Sequence, residues 1–349
     1  MRDKQPLAVI EAGSRSVRLL LCRVSANGTI QELPHNCRPY TWNLGDAIGP
    51  GGELTADGLT LAAAYLAKNV AEARRSAADP IIIIGTDVLR RARNREVLLK
   101  PYRDTCMIKV VQPVEEAQLS LIAVANAFRD ELVPDQPVLI IDQGGGSTEV
   151  ATGHRSGEQG VLLQECVSIP RGATSLRATF IASPSQPAAA FNEIVGACKV
   201  IVGEHLHLHF TNKPRAFGLG SVISNLMVGG RDIAPQKMHG RQLTLRALDQ
   251  KVVTASRFLE KLNSQLVRAA EVPRLFAKML PSEKGAKSPE ESADNWLTII
   301  CGAPLLREIM AQLSISSITF CRNGLRYGAA LGAAGVEPNA ARILATSSL

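Results

Sequence analysis

Residues 138–152, VLIIDQGGGSTEVAT, constrain the fold more than any other stretch of the chain. Four aliphatic residues, Val138 to Ile141, read as a buried strand, and Val150 and Ala151 begin a second one. The residues between are too few for a helix. Gly144, Gly145 and Gly146 therefore form the tip of a β-hairpin, where glycine reaches positive φ without steric cost. One glycine suffices for a turn. Three, preceded by Asp142 and followed by Ser147 and Thr148, describe a backbone that comes close to something. Bare N–H groups and two hydroxyls suit phosphate oxygens. Asp142 suits a metal ion or a water. A plain glycine-rich hairpin with an aspartate at its entry is the competing reading of this stretch alone.

The amino-terminal stretch PLAVIEAGSRSVRLLLCRV has the same form. Leu7 to Ile10 read as a strand, EAGSRS as a tight turn and Val17 to Val24 as the return strand. The turn again offers a carboxylate, Glu11, a glycine, Gly13, and two hydroxyls, Ser14 and Ser16. Two carboxylate–glycine–hydroxyl hairpins in one chain point to an internal duplication, which is more specific than either hairpin.

A chain of 349 residues that is 46% hydrophobic has room for two cores. With aromatics at 4%, those cores are mostly aliphatic. The formal net charge of +7 favours anionic partners such as nucleotides or polyphosphate. Basic residues cluster in LRRARNR (Arg90, Arg91, Arg93 and Arg95), but without the interleaved aromatics of a single-strand platform, so no DNA partner is expected. Seven cysteines, Cys22, Cys37, Cys106, Cys166, Cys198, Cys301 and Cys321, include no CxxC pair and read as reduced thiols of a cytosolic protein. No signal-peptide core and no long apolar run occurs, so the expected location is the cytoplasm, with no membrane association. His205, His207 and His209 alternate in HLHLHF. Metal ligands would share a strand face in this way, but no Cys, Asp or Glu pattern surrounds them, which favours a surface strand or helix end.

Elsewhere strands and helices alternate. Thr55 caps a helix over TADGLTLAAAYLAKNVAEARRSA. PIIIIGTDVLRRARNREVLLK gives a buried strand, a Gly-Thr turn and one helix. MIKVVQPVEEAQLSLIAVANAF gives a strand, a turn at Pro113 and a helix opening with Glu115 and Glu116. SIPRGATSLRATF, PRAFGLGSVISNLMVG and SSITFCRNGLRYGAALGAAG repeat the pattern, and LTLRALDQKVVTASRFLEKLNSQLV is helical. PSEKGAKSPEESADNW reads as a surface loop leading into the helix WLTIICGAPLLREIMAQL, and the tail VEPNAARILATSSL as frayed.

Seven blocks, in order, resemble the Ppx/GppA family, the exopolyphosphatases and guanosine pentaphosphate phosphohydrolases. VLIIDQGGGSTEV is similar to its phosphate hairpin, AVIEAGSRSVRLLL to its Asp-x-Gly-Ser-Asn-Ser hairpin, IIGTDVLRRARN to its Thr-x-x-x-Arg-x-Ala-x-Asn block, and VEEAQLSLIAV to its Gly-x-Glu-Glu-Ala-Arg-Leu block. SIPRGATSLRATF, AFGLGSVISNL and ITFCRNGLRYG resemble its later strand–helix starts. The resemblance spans about residues 7 to 332. It implies an α/β chain of the actin-like (sugar kinase/Hsp70/actin) class, a duplicated ribonuclease H-like fold of two domains around a cleft. The first domain would be residues 1–128, with a C-terminal helix of about 323–349 packing back on it, and the second residues 129–322. The two hairpin tips would face each other and hold phosphates between them.

The implied activity is hydrolysis of the terminal phosphoanhydride of inorganic polyphosphate or of pppGpp, a substrate of the stringent response, with release of orthophosphate. By resemblance Glu116 is the general base, a role that suits a carboxylate at a helix start facing phosphate; a solvated first helical turn favours acids as well. Asp142 and Glu149 align with carboxylates that position water and metal. Glu11, Asp142 and Glu149 would hold Mg²⁺ or Mn²⁺. Gly13, Ser14, Ser16, Arg90, Gly144, Gly145, Gly146, Ser147, Thr148, Gly220 and Ser221 would contact phosphate, while Arg91 and Arg93 read as a solvated face.

The chain departs from the family in several places. Glu11 replaces an aspartate, carrying its carboxylate about 1.5 Å further and favouring Mn²⁺ over Mg²⁺. Arg15 replaces an asparagine, Gln143 an apolar residue, Ser221-Val222 a Gly-Thr pair, and Pro113-Val114 a glycine and a polar residue. The substitutions at 11 and 15 keep a second reading open, a catalytically weak module that binds polyphosphate or (p)ppGpp as a regulator. A third, an actin-fold kinase or ATPase, is disfavoured by the Glu-Glu-Ala block. The absence of further C-terminal domains fits a short form acting on short polyphosphate or nucleotide. A homodimer is possible within such a family.

Overall fold

The computed structural model describes residues 5–37, 40–157, 159–210, 212–228, 235–263, 268–279 and 289–346. The first sheet is built from β1 (Leu7–Ala12), β2 (Ser16–Val24), β3 (Ile30–Glu32), β4 (Tyr40–Thr41), β5 (Ile81–Gly85) and β6 (Met107–Val110). Its order is β3-β2-β1-β5-β6, with β4 also paired to β2. The second contains β7 (Val138–Gln143), β8 (Thr148–Ser156), β9 (Gly160–Ile169), β10 (Arg215–Leu219), β11 (Gln242–Thr244) and β12 (Ser317–Phe320), in the order β11-β12-β10-β7-β8-β9. In both, three antiparallel strands lead into two parallel ones: β3-β2-β1 into β5 and β6, β9-β8-β7 into β10 and β12. The second sheet adds antiparallel β11 at its edge. The duplication expected from the two hairpins is thus a duplication of the sheet.

Strand alternation sets the layers. Leu7, Val9, Ile82, Ile84, Val138 and Ile140 face one shared central core. Ala8, Ile10, Ile81 and Ile83 face an outer core with α1 (Ala56–Arg75). Two short helices follow β5, α2 (Asp87–Arg91) and α3 (Glu96–Leu99). The single helix expected here is broken because Asn94 spends its amide on Leu54, donating to its carbonyl and accepting from its N–H, both at 2.9 Å.

The central core also takes in α4 (Pro113–Ala127). Leu139 and Ile141 face the third core. Around that sheet lie α5 (Ala173–Ala182), α6 (Pro187–His205), α7 (Gly220–Val228), α8 (Leu245–Asn263), α9 (Val272–Met279) and α10 (Pro289–Gln312). Residues 281–288 of the expected loop lie outside the described residues, whereas 289–296, also read as loop, open α10.

The chain returns through α11 (Leu325–Ala333) and α12 (Pro338–Ala345), two helices where one was expected. Both join the central core, α11 against α4. A Cβ on Gly328 would lie 2.0 Å from the Leu119 carbonyl oxygen, so only glycine allows that approach. The tail is held as well: Lys109 Nζ donates to the Thr346 carbonyl at 3.1 Å and to its hydroxyl at 2.7 Å. The last three residues, 347–349, lie outside the described set. No helix among the described residues is long and apolar enough to cross a membrane.

Candidate active site

The two hairpin tips meet. A Cβ on Gly145 would lie 3.0 Å from the Arg15 Cβ, and one on Gly146 would lie 2.0 Å from Asp87 Oδ2 and 2.8 Å from Ser14 Oγ. None of the three glycines takes a positive φ, so the run is required by the contact between hairpins rather than by a left-handed turn. The second tip also docks on α5: the Gly144 carbonyl accepts from Ala173 N–H, and the Gly145 carbonyl from Thr174 and Ser175 N–H. These bonds satisfy donors that a helix start leaves without intrahelical partners.

Behind the tips lie the carboxylates. β7 and β8 pair Asp142 opposite Glu149, a like-charge pair across the ladder. Glu149 is 1% exposed, and Glu116, from the first turn of α4, is 8% exposed. Burial, then repulsion from Asp142, pushes the Glu149 carboxyl up to about 7. Burial, opposed by the Ser120 hydrogen bond and reinforced by Glu11, pushes Asp142 up to about 6. Burial, followed by the Glu149 charge, raises Glu116 well above the usual carboxylate range, against the pull of Arg90. Arg90 Nη1 reaches Glu116 Oε2 at 2.7 Å and also donates to the Val111 carbonyl at 2.7 Å. Asp142 Oδ2 accepts from Ser120 Oγ at 2.6 Å, and Glu149 Oε1 from Ser168 Oγ at 3.0 Å. Ser120 and Ser168 lie inside blocks of family resemblance, yet no role for them follows from the sequence; their helical and strand positions bring them in.

The adjacent glutamates divide the work. Glu115 accepts from the Gln112 N–H at 2.8 Å and pairs with Lys109 at 2.8 Å, as a helix-start acid does. Glu116, one residue on, turns inward.

The first hairpin is cationic. Glu11 lies opposite Arg18 in the ladder, and its Oε2 is 3.3 Å from Arg326 Nε at the start of α11. Burial, then the charge of Arg326, lowers Arg18 to about 10. Arg15 Nη1 donates to Ser221 Oγ across the cleft at 3.4 Å. The hydroxyls expected to meet phosphate all have protein partners. Ser14 donates to Asp87 Oδ2 at 2.8 Å, Ser16 accepts from Arg18 Nε at 3.2 Å, Ser147 bonds Glu149, and Thr148 donates to the Arg171 carbonyl at 2.9 Å. Gly13 N–H donates to the Ser16 carbonyl at 3.1 Å and Gly144 N–H to the Ser147 carbonyl at 3.0 Å. Gly220, at φ 92°, starts α7 beside Gln143.

Arg91 is exposed, as read from sequence, and from that surface it also binds Asp87 through Nε at 3.0 and 3.1 Å. With Ser14, Gly146 and Thr174 it lines a cavity of about 320 Å³ outside the tips. The Thr174 hydroxyl there is buried, with no hydrogen-bond partner among the described residues. Arg93 reads as expected, exposed and lying over Gly52. His205 and His207 bond the carbonyls of Ile201 and Glu204 near the end of α6.

Among the described residues no group of three or more His, Cys, Asp or Glu is arranged to hold a metal. Glu11, tied to Arg326, does not join Asp142 and Glu149 as a third ligand. Those two still fit a hard dication. They are oxygen donors that crowd each other across the ladder, and Mg²⁺ is usually held by one or two carboxylates completed by phosphate and water.

A sequence model of the Ppx/GppA phosphatase family matches residues 38–336. An uncharacterized protein of Streptomyces coelicolor is 30% identical over 184 residues, which is 52% of each chain, so this chain spans about half the length of that curated relative. The solved Ppx/GppA family member of Aquifex aeolicus superposes with a TM-score of 0.68 at 22% identity, over 95% of this chain and 97% of that one. An exopolyphosphatase of Cytophaga hutchinsonii does so with a TM-score of 0.65 at 19% identity, over 95% and 98%. At these identities the likeness is one of fold: α/β, two mixed sheets with helices, in the actin-like duplicated arrangement.

Proposed function

The chain belongs to the Ppx/GppA phosphatase family, and on that premise we propose that it hydrolyses the terminal phosphoanhydride of inorganic polyphosphate or pppGpp. One observation carries the reading: Glu116 and Glu149, buried, and Asp142, half-buried, converge behind two abutting hairpin tips, with Arg90 on Glu116. Such crowding holds a carboxylate near the pH at which it can take a proton.

In the proposed reaction a water attacks the terminal phosphorus in line with the bridging oxygen. Glu116 takes the water's proton, the bond from phosphorus to the bridging oxygen breaks, and orthophosphate leaves a chain shorter by one phosphate. Arg90 orients Glu116 through the 2.7 Å pair. Ser120 and Ser168 hold Asp142 and Glu149 in place. The tip glycines admit phosphate oxygens to backbone N–H groups once the tips separate. Mg²⁺ or Mn²⁺, held by Asp142 and Glu149, would neutralise phosphate charge.

A second reading, a catalytically weak module that binds polyphosphate or (p)ppGpp, is favoured by one feature: the hydroxyls of Ser14, Ser16, Ser147 and Thr148 already have protein partners. Phosphate release from polyphosphates of graded length and from pppGpp, with Mg²⁺ and Mn²⁺ compared, separates the two. Turnover that disappears in Glu116→Gln supports the hydrolase. Tight binding by the wild-type protein without phosphate release from any of these supports the regulator.

A further inference from the structure

Asp87 stands where the two hairpins come closest. It is the first residue of α2, and one of its oxygens accepts from Ser14 Oγ at 2.8 Å. The same oxygen would be 2.0 Å from a Cβ on Gly146, so the carboxylate presses against the bare backbone of the second tip. Arg91 clamps both of its oxygens from one turn along α2. The side chain is 17% exposed. An anion thus already sits among a hairpin hydroxyl, a glycine backbone and an arginine, which is the chemistry that recognises a phosphoryl group. On the other side of the second tip, the Thr174 hydroxyl is buried in the cavity wall with no partner among the described residues.

We propose that Asp87 determines specificity by holding, with its own carboxylate, the position between the tips that a phosphoryl group of the substrate would take. The inference rests on the phosphohydrolase reading of the site. An incoming phosphate must displace Asp87 from Ser14 and draw Arg91 from it, and while Asp87 remains it repels further negative charge. Such a residue disfavours bare polyanions and favours a phosphoryl group whose charge is offset, by a bound dication or by protonation. Arg91, released from Asp87 and lining the cavity, would then serve the bound anion.

The test is calorimetric titration of the full chain with inorganic tripolyphosphate in the presence of a chelator, so that binding is read without turnover. Wild type is compared with Asp87→Asn and Asp87→Ala. Removing a like charge within a few ångströms of the anion is expected to tighten Kd about tenfold in both variants. Asp87→Asn is isosteric and decides the matter should Asp87→Ala fail to fold. Unchanged or weaker binding in the variants overturns the proposal and leaves Asp87 as a mere partner of Arg91. Hydrolysis by wild type with Mg²⁺, measured separately, keeps the two ideas apart. Turnover without any gain in affinity refutes the role of Asp87 alone. Tighter binding by the variants with no turnover in wild type refutes the hydrolase alone.

Discussion

The β1–β2 and β7–β8 hairpins share topology and register but differ in how their charges are matched. In the first, Glu11 lies opposite Arg18 and is bound by Arg326. In the second, Asp142 lies opposite Glu149, and both carboxyls are pushed toward neutrality. The first tip carries side chains, Arg15 reaching across the cleft to Ser221 and Ser14 binding Asp87 of its own half, while the second is three glycines. Duplicated backbones thus became a balanced, cation-bearing half and an unbalanced, carboxylate-bearing half. Of the two hairpins, the second is the one in which like charges face each other across the ladder.

The largest effect expected from breaking this contrast is on turnover. Glu116→Gln keeps size and shape but removes the base, so phosphate release should fall by about 10² to 10⁴-fold with binding nearly intact. An unchanged rate would take Glu116 out of its role.

Next comes the packing of the tips. Gly145→Ala drives a methyl into the Arg15 Cβ and the Thr174 hydroxyl, at 3.0 and 2.8 Å, whereas Gly13→Ala meets its nearest atom, the Ser16 carbonyl oxygen, at 3.4 Å. Chemical unfolding should show Gly145→Ala destabilised by about 1–3 kcal/mol, and Gly13→Ala by under about 1 kcal/mol. Equal losses would mean that the tips do not bear on each other.

The carboxylates of the second hairpin then predict a pH dependence. Asp142 and Glu149 hold protons in the folded state up to about 6 and 7, while the unfolded chain releases them nearer 4. The folded state therefore binds more protons across that window, and stability falls as pH rises from about 4 to 7. Thermal midpoints should decline over the interval, and Glu149→Gln should flatten the decline. A midpoint that instead rises with pH in wild type would show these two groups to be ionised throughout.

The smallest effect belongs to the first hairpin. With Glu11 held by Arg326, Glu11→Asp should leave the ratio of Mg²⁺- to Mn²⁺-supported rates within about threefold, well short of the tenfold that each 1.36 kcal/mol of barrier confers. A clear switch toward Mg²⁺ would bring Glu11 back as a metal ligand, as its extra methylene leads one to expect from sequence.

The sequence by itself determined the parts whose cause is local. Alternating aliphatic runs, glycine turns and helix caps such as Thr55 fall where patterning puts them, because strand period, φ preference and end-capping act within a few residues. Two like hairpins were enough to announce two like sheets. Tertiary structure alone decided which side chain meets which. Nothing near Asp87 in the chain signals that it will lie against Gly146, nor that Glu11 will find Arg326, because those partners arrive from distant elements. The break between α2 and α3 came from Asn94 meeting Leu54, and the settled tail from Lys109 meeting Thr346. Whether a carboxylate is balanced depends on the charges gathered around it in three dimensions. Glu11 and Asp142 occupy equivalent places in their hairpins, and only the folded chain made one an ion pair and pushed the carboxyl of the other up to about 6.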